Sequence, residues 1–433
     1  MSARNRELLA LVPASLLLTA GFAAIFIQQS EVVSDVSLTY GLWFLGLCFA
    51  GHMFLRFTLP YADPYMFPLV AVLACFGLVV IYRIDEELAR EQAQWFVVGL
   101  ALFAATILLL RDLRVLERYR YTIAAAGLIL LFLPRVPGIG AQVNGAYLGV
   151  DLGPIAFQPA EFGKIAIIIF LAAYLRDTRQ VLVQGARRVA GVTIPPLKHF
   201  GPLLVVWGAA MLMLVFIRDL GSSLMYFGGF LALLYVATNR LSFVVIGTAM
   251  FAVGAWFFAN TVSHVQDRVD IWLDPFNPAW VEDDGYQIAQ SLFAQADGGL
   301  FGTGLGASLL NSPGGTPLIP LPSTDLIYAV ITNELGLVGA CGLILVYMLL
   351  AERGFRTATL ATDSFSKLLA AGLTAVFALQ VFVIVGGVTR VIPLTGVTLP
   401  FVSYGGSSIV ANFVLLALLL LVSDRARREA VGR

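Results

Sequence analysis

The chain has 433 residues, of which 59% are hydrophobic and 12% are charged, and its mean hydropathy is +0.86. Soluble domains are about half apolar, so this composition excludes an ordinary soluble protein. The formal net charge is zero, with 27 basic and 27 acidic side chains, but these charges are unevenly distributed along the chain. Cys48, Cys75 and Cys341 lie in apolar runs, which favours buried thiols over a disulfide or a metal site.

Long apolar runs follow one another along the chain. A transmembrane helix needs roughly 20 apolar residues, and such runs lie near 8–27, 38–57, 66–82, 95–110, 121–134, 163–175, 201–217, 220–238, 241–260, 325–351, 366–386 and 408–422. The runs are continuous rather than alternating, which favours helices over a β-barrel. The first run is longer than that of a removable signal peptide, and many further spans follow it. We therefore predict an all-α polytopic membrane protein with about twelve transmembrane helices.

The distribution of basic residues predicts the orientation in the membrane. With both termini in the cytoplasm, about three quarters of the 27 Lys and Arg residues fall on the cytoplasmic side. The opposite orientation would place most of them outside, against the positive-inside rule. The predicted orientation requires an even number of spans and leaves two long segments outside, at about 134–162 and 260–324. Long loops are often either functional or disordered, and the aromatic content and glycine spacing of the second segment argue against plain disorder.

Four predicted helices begin on the outer side with polar motifs, at residues 158–161 followed by Lys164, 219–223, 322–325 and 403–408. Helix N-termini carry unpaired N–H groups and the positive end of the helix dipole, and they bind anions readily. If these four helix starts converge, they form an anion site with the carboxylates of Glu161 and Asp325 beside it.

Ordinary structural roles explain the same motifs one at a time. Pro159 and Glu161 are common choices for the first turn of a helix, and Asp325 for a helix cap. Lys164 lies three residues after Glu161, so the two can form a local ion pair, and Gly405-Gly406 can let two helices pack closely. Against these alternatives, ionisable residues near the hydrocarbon region are costly and are by default functional candidates.

The ordered set of motifs resembles the SEDS family of shape, elongation, division and sporulation proteins, which includes the RodA and FtsW types. The resemblance extends from about Phe67 to Leu421. Its motifs are Asn144-Gly145, 157–161 with Lys164, 219–221, 285–287 with Gln290-Ser291, 298–306, 323–325, 333–336 and 399–408.

Two spans precede the ten-helix core that is usual in this family. The resemblance therefore implies a two-helix extension at 1–62 and a core at 63–433, which includes the outer loop at about 260–324. This extension and the sequence motifs at 272–276 and 386–390 look like those of the actinobacterial RodA type rather than the division-specific FtsW type.

The resemblance implies a peptidoglycan glycosyltransferase that polymerises lipid II at the outer face of the bacterial cytoplasmic membrane, for cell elongation and shape. The 4-hydroxyl of one GlcNAc would attack C1 of MurNAc on another chain with inversion, and undecaprenyl pyrophosphate would leave. The implied partners are lipid II, membrane lipids and a class B penicillin-binding protein, with no nucleic acid. No cofactor is indicated, and the need for a divalent cation stays open.

The resemblance also implies roles for single residues. Asp325 matches the family's catalytic carboxylate, and Glu161 is the second carboxylate, as an auxiliary base or as the partner of Lys164. Lys164 and Arg268 are candidate pyrophosphate contacts, since the planar guanidinium of Arg suits phosphate. Further candidate substrate contacts are Gln287, Gln290, Ser291, Thr324, Ser403, Gly405, Gly406 and Ser407, and no metal ligand is predicted.

Two other functions fit some of these features. A lipid II flippase or other transporter would also have about twelve spans and helix ends that point at a polar cavity. The sequence shows no two-fold internal similarity, however, and the predicted site lies near one face of the membrane rather than at its midplane. A scaffold that only positions wall enzymes would leave Asp325 without a chemical role.

Overall fold

The structure is a computed structural model that describes residues 3–28, 35–143, 146–151, 153, 156–184, 187–189, 192–194, 208, 219–308, 310 and 318–431. The Asn144-Gly145 motif lies outside the described residues, and so does the predicted span at 201–217 except for Gly208.

The described residues are mainly helical. The helices are α1 (Ala3–Gln28), α2 (Asp35–Thr58), α3 (Met66–Ile84), α4 (Glu86–Leu109), α5 (Arg114–Arg118), α6 (Arg120–Phe132), α7 (Pro159–Gln184), α8 (Leu220–Thr238), α9 (Leu241–Thr261), α10 (Ser263–Leu273), α11 (Tyr286–Gly298), α12 (Ile327–Leu360), α13 (Ser364–Val388) and α14 (Gly406–Val431). A short 3-10 turn at Leu133–Arg135 follows α6.

Within the described residues, nine helices are long and apolar enough to cross a membrane, namely α1–α4, α8, α9 and α12–α14. The 13 residues of α6 extend only about 20 Å, which is shorter than the roughly 30 Å of a bilayer core. The 26-residue helix α7 is long enough but carries charged residues in its first turns and last third. The prediction of a helical protein with many spans is confirmed, and the number twelve stays a prediction.

Short strands interrupt the helical pattern at two places. Strands β1 (Gly140–Val143), β2 (Ala146–Asp151) and β3 (Ala156–Phe157) form an antiparallel sheet in the order β1-β2-β3. Strands β4 (Arg187–Val189) and β5 (Val192–Ile194) form a separate antiparallel pair. The sequence predicts loops in both regions, because strands of two to six residues show too little alternation for a periodicity argument.

The chain divides into two compact units. The first unit comprises Met1–Leu108, Asp267–Arg353 and Gln380–Asp424. Aromatic side chains of α3, α4 and α14 pack in its core, where the ring centroid of Phe103 lies 6.0 Å from that of Phe67 and 6.2 Å from that of Phe413. Gly77 lets α3 approach the segment before α14, since a Cβ atom there would lie 2.6 Å from the Cα atom of Val402.

The second unit comprises Leu109–Gln266, Gly354–Leu379 and Arg425–Arg433. Its helices α7, α8 and α13 pack closely where glycine replaces a larger side chain. A Cβ atom at Gly372 on α13 would lie 2.9 Å from side-chain atoms of both Ile168 on α7 and Leu233 on α8. Small residues at such positions are typical of helix packing in membranes, where the backbones approach each other closely.

Candidate active site

The second unit contains a buried ion pair at the start of α7. Pro159 begins the helix, and Glu161 lies in its first turn. The Nζ atom of Lys164 lies 2.5 Å from Oε2 of Glu161, and their side chains are only 3% and 4% exposed. A buried ion pair contributes little net stability, because both charges lose their hydration. The pair is therefore a costly feature whose presence agrees with a role in binding or catalysis.

The starts of α7 and α8 lie close together within this unit. Tyr226 on α8 donates a hydrogen bond to the carbonyl oxygen of Ala160 at 2.8 Å. Asp219 caps α8: its Oδ1 atom accepts a hydrogen bond from the backbone N–H of Ser222 at 2.9 Å, and its Oδ2 atom accepts one from the Ser222 hydroxyl at 2.5 Å. Two of the four predicted helix-start motifs are thus neighbours, and Asp219 is engaged as an ordinary cap.

In the first unit, the other two motifs are joined by direct hydrogen bonds. The Ser403 hydroxyl donates to the carbonyl oxygen of Thr324 at 2.8 Å. The backbone N–H of Tyr404 donates to the carbonyl oxygen of Ser323, also at 2.8 Å. Asp325, which is half-buried, follows these two contacted residues just before α12 begins. The segment before α14 therefore supports the turn that carries Asp325.

One further residue lies beside the Asp325 carboxylate. Gly396 has a φ of +72°, and a Cβ atom at this position would lie 3.4 Å from Oδ2 of Asp325. Such a φ is unfavourable for residues with a side chain, so glycine suits this backbone conformation. The absence of a side chain also leaves space next to the carboxylate.

The start of α14 is held by a glutamine that sequence reasoning missed. Gln92 on α4 donates to the carbonyl oxygen of Ser403 at 3.1 Å, and its Oε1 atom accepts from the backbone N–H of Gly405 at 3.2 Å. A Cβ atom at Gly406 would lie 2.4 Å from the ring of Trp95. The glycine pair therefore allows close packing, as in the ordinary structural alternative. Ser407 lies in the first turn of α14.

Tyr404 contacts a second polar residue of α4, because its hydroxyl donates a hydrogen bond to the carboxylate of Glu91. Partial burial and this hydrogen bond raise the pKa of the Tyr404 phenol above its usual value, so the hydroxyl stays protonated at neutral pH. The adjacent residues Glu91 and Gln92 are polar positions on a helix apolar enough to span a membrane. That pattern is the sequence signal that could have identified them.

Helices α10 and α11 contact the end of α13 and the segment that follows it. Arg268 on α10 donates from Nη1 to the carbonyl oxygen of Leu394 at 2.9 Å. Ser291 on α11 is fully buried and donates to the carbonyl oxygen of Val388 at 3.2 Å, and Gln295 donates to the same oxygen at 2.9 Å. Arg268 and Ser291 therefore fix backbone in this structure, whereas Gln287 and Gln290 are half-buried on the first turns of α11.

The glycine-rich segment at 298–306 closes a break in α12. Gly336 has a φ of +66° and interrupts the helix. The N–H groups of Thr303 and Gly304 donate to the carbonyl oxygens of Asn333 and Glu334 at 2.9 and 3.0 Å. The N–H of Leu337 donates to the carbonyl oxygen of Gly299 at 2.9 Å. Two motifs of the predicted family are thus partners in one hydrogen-bonded structure.

The carboxylate of Glu334 is buried beneath this segment. It accepts hydrogen bonds from the N–H of Gly306 at 2.9 Å and from the Ser308 hydroxyl at 2.5 Å. The Nε atom of Arg83 lies 3.4 Å from the same carboxylate. Glu334 thus has hydrogen-bonding and charged partners, as buried carboxylates require.

In the part of the chain that the structure describes, no group of three or more His, Cys, Asp or Glu side chains could hold a metal ion.

Fold and site together define a polytopic helical membrane protein with carboxylates at the starts of its helices. The family model for FtsW, RodA and SpoVE, described as cell cycle proteins, matches residues 64–428. The chain belongs to this family, which confirms the resemblance predicted from the motifs.

Curated relatives and solved structures agree with the family assignment. The chain is 43% identical to the peptidoglycan glycosyltransferase RodA of Mycobacterium tuberculosis, over 98% of this chain and 91% of the relative. A solved structure described as "Structural coordination of polymerization and crosslinking by a peptidoglycan synthase complex" matches with a TM-score of 0.66 and 28% identity, over 84% of this chain and 98% of that chain. The rod shape determining protein RodA of Thermus thermophilus matches with a TM-score of 0.59 and 26% identity, over 84% and 97%. The similarity to RodA proteins of actinobacteria is therefore confirmed.

Proposed function

We propose that this chain is a peptidoglycan glycosyltransferase that polymerises lipid II into glycan strands for cell elongation and shape. The observation that carries the proposal is its 43% identity, over 98% of its length, to a mycobacterial peptidoglycan glycosyltransferase. The arrangement of the motifs supports it, since the turn that carries Asp325 is supported by the segment before α14.

Asp325 is the proposed general base. The 4-hydroxyl of the acceptor GlcNAc loses its proton to this carboxylate as its oxygen forms a bond to C1 of the donor MurNAc. The bond between C1 and the pyrophosphate oxygen breaks, and undecaprenyl pyrophosphate leaves with the bonding electrons. A positioned carboxylate typically contributes about 10² to 10⁴ in rate for such a proton transfer. The space left by Gly396 beside the Asp325 carboxylate supports this role.

Lys164 and Arg268 are the proposed contacts of the pyrophosphate. Lys164 is a compact positive charge paired with Glu161, which we propose as the auxiliary carboxylate that orients Lys164. Arg268 uses one terminal nitrogen for the Leu394 carbonyl, and a guanidinium has five N–H donors in total. Its remaining donors can bind phosphate oxygens and stabilise the negative charge that develops as the bond to C1 breaks.

The other predicted contacts divide into two groups. Gln287 and Gln290 are proposed to bind sugar hydroxyls, while Ser291 acts through the backbone that it holds at Val388. At the start of α14, Ser403 and Gly405 contact neighbouring protein groups. We propose that they, with Thr324, Gly406 and Ser407, shape the site beside Asp325.

We further propose that both termini lie in the cytoplasm and that the reaction takes place on the outer face of the cytoplasmic membrane. The excess of Lys and Arg in the predicted inner loops supports this orientation. A class B penicillin-binding protein is the proposed partner, supported by the match to a peptidoglycan synthase complex that couples polymerisation and crosslinking. Residues 1–62 are proposed as an extension that precedes the core at 63–433.

The experiment that tests this function uses the purified full-length protein with purified lipid II, with and without a class B penicillin-binding protein. We expect the wild-type protein to form glycan strands and Asp325→Asn to form none. Asp284→Asn, which changes an exposed carboxylate of the loop before α11, is the matched control and should keep its activity. Transport of lipid II across vesicles without strand formation under any condition would instead support a flippase.

A further inference from the structure

Two sequence motifs to which the proposed mechanism gives no role meet in the structure. Arg390 lies in the motif at 386–390, and Trp272 lies in the motif at 272–276. Arg390 donates from Nε to the carbonyl oxygen of Trp272 at 2.8 Å and from Nη2 to that of Leu273 at 2.6 Å. In return, the indole Nε1 of Trp272 donates to the carbonyl oxygen of Arg390 at 3.1 Å. We refer to these three hydrogen bonds as the Arg390–Trp272 clasp.

The clasp fits the chemistry of the groups that it joins. Leu273 is the last residue of α10, so the two acceptor carbonyls lie at the negative end of the helix dipole, where a cation is stabilising. The planar guanidinium reaches both oxygens at once. A Lys ammonium is a compact point charge and lacks this rigid fork. The geometry therefore requires Arg in particular at position 390.

The backbone of Arg390 is unusual for a residue with a long side chain. Its φ is +60°, in the left-handed region that favours glycine. It follows the end of α13 at Val388, where a glycine is the common terminating residue, and the next two N–H groups donate to the carbonyl oxygen of Gly386 at 2.7 and 3.1 Å. The chain therefore accepts backbone strain here for the contacts of the arginine side chain.

The segment that the clasp anchors runs past Asp325. We call residues 389–405 the connecting segment, because it joins α13 to α14. Arg390 holds its beginning, and its middle places Gly396 beside Oδ2 of Asp325. Its end contacts the residues just before Asp325 through Ser403 and Tyr404. The segment that Arg390 anchors therefore includes the backbone that lines the carboxylate.

We propose that Arg390 is a positioning residue for the transfer reaction, and that the Arg390–Trp272 clasp holds the connecting segment in place beside Asp325. Arg390 does not touch the reacting atoms, and it acts through the segment that carries Gly396. The inference rests on the proposed function, because it takes Asp325 as the general base. Loss of the clasp lets the connecting segment move, and a misplacement of about 1 Å can lower a reaction rate by about 10²-fold.

The decisive variant is Arg390→Gly, because glycine relieves the backbone strain and removes only the clasp. If Arg390 merely ended α13, this variant would be at least as stable as the wild type and fully active. We expect a melting temperature that is unchanged or raised, kcat for strand formation lowered about tenfold or more, and KM for lipid II changed by less than about twofold. We also expect faster amide hydrogen exchange in peptides that cover 391–405.

Two further variants make the test specific. Trp272→Phe removes the indole donor and should lower kcat by a smaller factor, and adding it to Arg390→Gly should produce little further loss, because the two residues act as one unit. Arg390→Lys keeps the positive charge and should not restore kcat. Asn239→Gly is the matched control, since Asn239 ends α8 with a φ of +51°, and it should leave kcat and exchange at 391–405 unchanged.

Specific results would overturn the inference. One is an Arg390→Gly variant with the kcat and the amide hydrogen exchange of the wild type. The other is full activity in Arg390→Lys, which would show that only the charge of the arginine matters. Asp325→Asn is measured in parallel, because an active Asp325→Asn would contradict the proposed base and not the clasp. The exchange measurement needs no enzymatic activity, so it tests the clasp even if the proposed function is wrong.

Discussion

The Ser403 hydroxyl donates a hydrogen bond to the carbonyl oxygen of Thr324 at 2.8 Å, across 79 residues of sequence. The Oγ atom of Ser403 also accepts a hydrogen bond from the backbone N–H of Leu399 at 2.9 Å. One buried hydroxyl thus connects the segment before α14 to the turn that carries Asp325. This contact therefore joins the segment before α14 directly to the residue that precedes Asp325.

We expect Ser403→Ala to destabilise the protein and to lower strand formation. The substitution leaves the Leu399 N–H and the Thr324 carbonyl without this partner, and a buried polar group without a partner costs about 1–3 kcal/mol. Thermal unfolding of the protein in detergent measures the stability, and the lipid II assay measures the activity.

Ser366→Ala is the matched control for Ser403→Ala. Ser366 is also buried, but its hydroxyl has no hydrogen-bond partner among the described residues. Its replacement should leave stability unchanged or raise it slightly. Equal effects of the two substitutions would show that the contacts of Ser403 are unimportant.

We expect substitutions in the Glu161–Lys164 ion pair to affect stability and activity differently. Glu161→Gln or Lys164→Met alone leaves one buried charge without its partner, which costs about 3–5 kcal/mol. The double variant removes both charges and should recover most of the melting temperature. Strand formation should stay low in all three variants, because Lys164 is the proposed pyrophosphate contact. An active double variant would reduce the pair to a structural role.

We expect alanine substitutions at the adjacent residues Gly405 and Gly406 to differ in their cost to stability. A Cβ atom at Gly406 would lie 2.4 Å from the ring of Trp95, whereas at Gly405 the nearest contact would be 3.3 Å, to a methyl group of Thr398. We therefore expect Gly406→Ala to lower stability by about 1–3 kcal/mol, the usual cost of overpacking, and Gly405→Ala to cost less. Thermal unfolding compares the two variants.

A compensating substitution tests the cause of that asymmetry. Trp95→Leu removes the ring that the new methyl group would meet. In the Trp95→Leu background, Gly406→Ala should cost less than it does in the wild type. If the cost is the same in both backgrounds, the effect does not come from contact with Trp95.

Tyr404 predicts a dependence of stability on alkaline pH. The pKa of its phenol is raised in the folded protein by partial burial and by its hydrogen bond to Glu91, whereas an unfolded tyrosine titrates near pH 10. The unfolded state therefore releases this proton first as the pH rises. The stabilisation from Tyr404 is complete below about pH 10 and declines above it.

Comparison with Tyr404→Phe isolates this contribution from those of the other tyrosines. The difference in melting temperature between the wild type and Tyr404→Phe should be constant from about pH 7 to 9. It should shrink as the pH rises above about 10. A difference that grows over that range would contradict the raised pKa.

The starts of the helices were well predicted from sequence, because local chemistry determines them. Pro159 begins α7, Asp219 caps α8, and Gly406 begins α14, each within a motif that the sequence shows. The roles of Asp325, Glu161 and the other predicted site residues stay predictions.

The contacts of Gln92 and the break at Gly336 could not be predicted from the sequence. Gln92 and Ser403 are 311 residues apart, and no periodicity relates two positions at such a separation. The apolar run at 325–351 predicts one continuous helix, because hydropathy does not register a single left-handed glycine. The short sheet at β1–β3 was missed for a similar reason, since a few residues of strand carry little pattern.

The interlocking of residues 299–304 with the break in α12 has a consequence for the length of that segment. Each backbone group on one side has its partner at a fixed place on the other, with Gly304 on Glu334 and Leu337 on Gly299. One inserted residue would shift these pairs out of register and leave several backbone groups without their hydrogen-bond partners. The length of the segment is therefore fixed by its backbone pairing, and we expect it to tolerate substitutions more readily than insertions or deletions.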